Sequence, residues 1–313
     1  MRASCLEGKC LKLAIEMRRM AAAAMLMAAA GVAAAACPPA GTSKASLEAL
    51  KGTGWKVDDD ARRQALAIEL LDCLGAPDPV LRDDLAFEAI AHWIRAKQIA
   101  VPTLQAMRTA LFAQLLAGVP DEPGFRRPFA ALMLAEVARA DRVQPFLSSA
   151  ERHDLVGLAT TYLATVRDYR GFDAKDGWRH GVAHGADLLL QLALNPAVDT
   201  GELKLILAAI ATQVMPGGHF YIYGEGDRLM TPVFYIGRRD ALSADEWSAW
   251  FAALAAQRPK ADPATQVSLA ARHDLSQFLL ELYASLRERH ARNAGAHAAG
   301  RRRGDQVAEL SGS

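Results

Sequence analysis

From about residue 60 to residue 289 apolar residues recur every three to four positions, the period of an amphipathic helix. The spacing predicts helices over Asp60–Cys73, Pro79–Ala96, Thr103–Leu116, Phe125–Ala138, Ser149–Arg167, Trp178–Leu194, Glu202–Met215, Glu225–Ile236 and Trp247–Ala256, with a last long one inside Asp262–Arg289. Start and stop residues agree with these bounds. Pro79 follows Asp78, Ser243 and Glu246 make a capping box, and Gly75, Pro196 and Pro216-Gly217-Gly218 end helices. His219 to Tyr223 has strand-like composition but is short. Short connections make sequential helices antiparallel neighbours. The expectation is an all-α fold of about ten helices packed as antiparallel hairpins, either α-solenoid-like or an irregular helical bundle. Arg152-His153-Asp154-Leu155 and Arg272-His273-Asp274-Leu275 open two similar helices, a pattern that stacked repeats or chance both produce.

Composition changes this picture mainly at the ends. The chain has 313 residues, enough for a sizeable core, and a formal charge of +1, which argues against a nucleic-acid partner. Met17-Arg18-Arg19 precedes an uncharged Ala-rich run over 20–36, the pattern of an export signal, with Met17 as an alternative start. The domain reading is a signal peptide over 1–36, a linker over 37–44, a helical domain over 45–290 and a disordered tail over 291–313. Export places the protein in the periplasm or on the membrane as a lipoprotein. Ala35-Ala36-Cys37 resembles the end of a bacterial lipobox, so a lipid on Cys37 is one alternative and a Cys37–Cys73 disulfide the other.

The candidate chemistry lies on the sixth predicted helix. At 100° per residue, His180, His184, Asp187 and Gln191 fall within about 60° of one face. Val182, Ala183, Ala186, Leu188, Leu189, Leu190, Leu192 and Ala193 make the rest of that helix apolar, which implies burial. Buried imidazoles and carboxylates need partners. The stripe therefore closes a hydrogen-bond network, lines a pocket or holds an ion. A divalent metal would draw on His180 and His184 at helical spacing, with His219, Glu225 or Asp227 added from the next loop. Trp178 flanks the stripe, Arg170 and Asp173 form a loop-fixing ion pair before it, and Glu225 and Arg228 sit at a later helix start. Gly181 and Gly185 imply a close approach by a neighbouring helix or a ligand. No HExxH, CxxC, nucleophile elbow, P-loop or dinucleotide fingerprint is present.

Four runs resemble one bacterial family of uncharacterised helical proteins, known only as a domain of unknown function. They are Pro79 to Phe87, Phe125 to Leu132, Arg170 to Asp173 with Gly177 to Asp187, and Gly224 to Leu229. The Gly-Trp-x-His-x-x-x-His-x-x-Asp run is the most specific, and the resemblance extends over about 45–290. It implies an all-helical domain whose marked residues gather around the stripe helix, and no reaction. The first functional reading is a helical scaffold or binding protein of the cell envelope, with a protein or peptide partner. The alternatives are a hydrolase or a metal-binding protein using His180, His184 and Asp187.

Overall fold

The computed structural model describes residues 37–116, 121–260 and 262–311, with side chains described as far as Arg289. The export signal and the Met17 start lie outside the described residues. Among the described residues the fold is all-α. Its helices are α1 (Lys44–Gly52), α2 (Asp60–Glu69), α3 (Glu88–Arg95), α4 (Val101–Leu115), α5 (Arg126–Val143), α6 (Ser149–Thr165), α7 (Gly181–Ala193), α8 (Thr200–Ala211), α9 (Glu225–Gly237), α10 (Ala244–Ala256) and α11 (Gln266–Ser311). A 3₁₀ stretch, Leu70–Gly75, follows α2, and a π-helical stretch, Val80–Phe87, runs into α3. One antiparallel hairpin pairs β1 (Phe172–Asp173) with β2 (Gly177–Trp178).

Capping boxes at Ser148/Glu151, Asp199/Glu202 and Ser243/Glu246 start α6, α8 and α10, each closing two otherwise unpaired amides. Three expectations need correction. Helix α1 goes unpredicted because only Leu47 along it is buried. Residues 219–223 form no strand, since the Tyr221 and Tyr223 amides bond to the side chains of Asp274 and Glu225 instead of a ladder. The stripe helix starts at Gly181 and not at Trp178. The amides of Arg179 and His180 bond to the carbonyls of Gly171 and Arg170, so the backbone stays paired across the hairpin until residue 180.

The helices pack in two rows. One row runs α3, α5, α7, α9, α11, each against the next, and the other runs α2, α4, α6, α8. Helix α10 joins the second row through Trp250, whose indole donates to the Leu207 carbonyl, and through the Lys204–Glu246 pair. Packing of every second helix is the arrangement of a helical solenoid. One hydrophobic cluster extends from Leu47 to Leu282. Helix α7 lies in the middle of its row and is apolar nearly all round because α5, α6, α8 and α9 all touch it. Gly185 marks the approach of α6: a Cβ there would meet Leu163 at 3.0 Å and Tyr162 at 3.1 Å. Gly185 therefore serves helix contact, whereas a Cβ at Gly181 would make only ordinary contacts at 3.5 Å.

Cys37 is bonded to Cys73. Its sulfur is thereby engaged, so of the two alternatives for Cys37 the disulfide is the one the structure holds. Among the described residues no helix is long and apolar enough to cross a membrane.

Candidate functional site

The segments that enter the first row of helices meet on one rim. Residues 76–83 precede α3, 121–125 precede α5, the hairpin precedes α7 and 219–224 precede α9. Arg82 ties three of them together. It is fully buried, donates to both carboxylate oxygens of Asp83 and to the Ala76 carbonyl, and reaches the Asp176 carbonyl in the hairpin at 2.9 Å. Its guanidinium lies 4.0 Å from the Phe125 ring centroid. Arg179 covers the same ring at 4.4 Å and donates to the Pro123 carbonyl. The hairpin is thus clamped by two arginines on one phenylalanine. Burial pushes the Asp83 carboxyl up, against the opposing pull of Arg82.

On this base the predicted stripe is only partly a stripe. His184 and Asp187 are on α7, whereas His180 is its N-cap, in the left-handed region at φ 52°. That conformation is uncommon outside glycine and marks a held position. It turns the His180 ring over Trp178, with centroids 4.1 Å apart, and edge-on to His184 at 5.9 Å. His184 is sealed in, with its ring against Phe129 at 5.1 Å and a hydrogen bond to the Pro128 backbone. Nε2 of His180 and Nδ1 of His184 are buried without a partner. Desolvation holds both imidazoles neutral, His180 down to about 4 and His184 down to about 3, with the Arg228 charge adding to each.

Asp187 forms a two-oxygen ion pair with Arg228 of α9. Burial raises its carboxyl, with Arg228 pulling the other way. Gln191 accepts from Arg142 and is separate from the histidines. Arg170 pairs with Asp168 and not with Asp173, because Asp173 turns its carboxylate onto the amides of Lys175 and Asp176 inside the hairpin turn. Glu225 is buried and takes the Tyr223 amide, fixing the loop ahead of α9.

The metal candidates do not converge. His219 stacks on Tyr169 at 5.1 Å, away from the His180/His184 pair. Its Nε2 is buried without a partner, and burial lowers its pKa. Among the described residues no three His, Cys, Asp or Glu side chains are grouped to hold a metal.

What the rim presents outward is aromatic. Phe172, Trp178 and Tyr223 are all exposed, with ring centroids 4.9 Å apart for Phe172–Trp178 and 5.6 Å for Trp178–Tyr223. The Tyr223 ring lies on Gly171, where a Cβ would come within 2.0 Å of it. Ile222 extends this ledge and is 69% exposed. A cleft of about 460 Å³ runs beside it, lined by Arg170, Arg179 and His219 among others.

The pattern of the family described as "Protein of unknown function (DUF2785)" matches residues 111–284, more than half of the chain. The chain belongs to this family. No curated protein and no solved structure matches it. The DUF2785 span holds the hairpin, α7, the 219–224 loop and α9, and so the whole ledge. Arg82 and Asp83 lie outside it, although they fall in the first of the four resembling runs.

Sequence reasoning missed the buried role of Arg82, the exposed rings of Phe172 and Tyr223, and the pairing of Arg228 with Asp187. Arg82-Asp83 reads as a helix surface or an interhelical pair, and only its place in a resembling run singles it out.

The neutral histidines make a pH prediction. Their folded values lie below the ordinary 6.5, so between pH 6.5 and those values the unfolded chain binds protons that the folded chain refuses. Stability contributed this way falls as pH falls. For His184 the loss from pH 7 to pH 4 is about 3 kcal/mol. Asp274, raised to about 6 by burial, acts with the opposite sign over the same range. The measurement is therefore a difference. Urea unfolding of wild type and His184→Gln at both pH values should show the gap shifting by about 3 kcal/mol in favour of the variant at pH 4. A gap independent of pH would show that His184 is not held neutral.

Proposed function

We propose that the chain is an exported binding protein of the cell envelope which holds a peptide segment of another protein on the Phe172–Trp178–Tyr223 ledge. The observation that carries this reading is the gathering of three exposed rings and Ile222 on a backbone that Arg82, Arg179 and Glu225 hold fixed. Large aromatic side chains left in water on a rigid frame are the usual anchors of protein interfaces. Export is supported by the signal pattern before residue 37 and by a disulfide, a bond that persists in oxidising compartments.

The hydrolase alternative has one observation in its favour, the two unpartnered imidazole nitrogens. It is opposed by the engagement of Asp187 with Arg228, which leaves neither histidine a carboxylate to orient it. His184 is also buried against Phe129 and does not line the cleft.

The test is a random dodecapeptide display library panned against the purified protein. Enriched peptides should share an aromatic or aliphatic anchor and bind Trp178→Ala more weakly by about tenfold or more, the loss typical of a central aromatic contact. Failure to enrich any sequence, or equal binding to the variant, would remove the ledge as the binding face.

A further inference from the structure

On the other side of the 219–224 loop is a second cavity, of about 310 Å³, between that loop, the first turn of α9 and one face of α11. Ile222 lines both it and the ledge cleft. Three carboxylates turn into it. Asp274 is 1% exposed; its Oδ1 accepts from the Tyr221 amide at 2.9 Å, and its Oδ2 has no partner. Glu281, two turns further along α11, also has an oxygen, Oε2, that is buried and unpartnered. Glu225 lines the same wall from α9. No lysine or arginine lines the cavity. The one basic group there, His273, is engaged through Nε2 with the Tyr221 carbonyl.

Two carboxylate oxygens withdrawn from water with no donor opposite are costly, and that cost is recovered when a cation enters. A divalent ion does not suit the geometry. Calcium takes six to eight oxygens at short range, and among the described residues no three His, Cys, Asp or Glu side chains are grouped to hold a metal ion. An ammonium needs only a few acceptors spread around it, and a guanidinium pairs with a carboxylate edge on. The exposed side chain of Ile222 at the mouth offers an apolar surface for an alkyl stem.

We infer that the cavity between α9 and α11 is a binding site for an organic ammonium or guanidinium group, with Asp274 and Glu281 as its counter-charges. Burial raises both carboxyls, as expected where counter-charges lack their cation. The group belongs either to a free amine or to a lysine or arginine of a polypeptide, and the test separates these sources.

Isothermal titration of the purified protein at pH 7.5 and low salt would use cadaverine, Nα-acetyl-lysine methylamide, and the latter's uncharged Nε-acetyl derivative. Saturable binding of an ammonium probe, one per chain, is expected, with none of the uncharged one. Tighter binding of cadaverine assigns the site to free amines, and tighter binding of the lysine derivative assigns it to polypeptide side chains. Asp274→Asn and Glu281→Gln should each weaken binding about tenfold or more. If Asp274→Asn does not fold, Glu281→Gln decides alone. Trp178→Ala should leave the affinity unchanged, so failure of the ledge reading and of this one are distinguishable. No binding by either ammonium probe, or equal binding by wild type and the folded variants, would overturn the assignment.

Discussion

Breaking the Cys37–Cys73 bond is expected to lower the stability of the folded chain by about 4 kcal/mol, the chain-entropy value for a loop of this length. The two cysteines are 36 residues apart, and the loop they close carries α1 and α2. Helix α1 needs this help because it buries only Leu47 and is too short to hold itself together. Cys73 is fully buried among Leu70, Leu71 and Leu74, whereas Cys37 is only partly buried, so Cys37→Ser removes the bond with little loss of packing. Urea unfolding of wild type with and without reductant, and of Cys37→Ser without it, should give one stable and two equally weakened curves. A wild-type curve that ignores the reductant would mean that the sulfur is not in a disulfide. In that case a mass increase on Cys37 would return the lipid alternative.

The all-α fold was legible because the helical period and the capping residues agree along the chain. Ser243 with Glu246, and Pro79 after Asp78, mark starts that no tertiary contact needs to explain. The i to i+2 packing of rows was not legible, since it depends on which faces meet. The His180 position shows where periodicity fails. Residues 177–180 continue the helical phase of 184, 187 and 191, yet the Gly171 and Arg170 carbonyls capture their amides and hold them in a hairpin. A pairing eight to ten residues back leaves no mark on a helical wheel. The burial of His184 and the half-burial of Asp187 were legible from the apolar residues around them. The partner of Asp187, Arg228, was not, because it comes from α9, 41 residues later. Asp274 and Glu281 were hidden for the same reason. They share a face of α11, but they become a pair of unanswered charges only because the loop before α9 closes over them.

Arg82→Ala is expected to cost about 3–5 kcal/mol, the range for removing one partner of a buried ion pair. Three effects act together. Asp83 loses its counter-charge where burial already disfavours its carboxylate. The Ala76 and Asp176 carbonyls lose their donor. The side chain sandwiched on Phe125 leaves a void beside the hairpin. Arg82→Lys should recover only part of the loss, because one ammonium cannot span Asp83 and two backbone carbonyls in the plane that the guanidinium holds against Phe125. The effect should also reach the ledge. With Asp176 released, the hairpin loses one of its two arginine anchors, and Trp178 should become more mobile and more exposed. Thermal melts rank the three proteins for stability. Acrylamide quenching of tryptophan fluorescence, compared with and without Trp178→Phe in each background, isolates the ledge. A variant that melts like wild type would show that Arg82 adds nothing to stability. A destabilised variant with unaltered Trp178 quenching would show that the clamp holds the core and does not position the ledge.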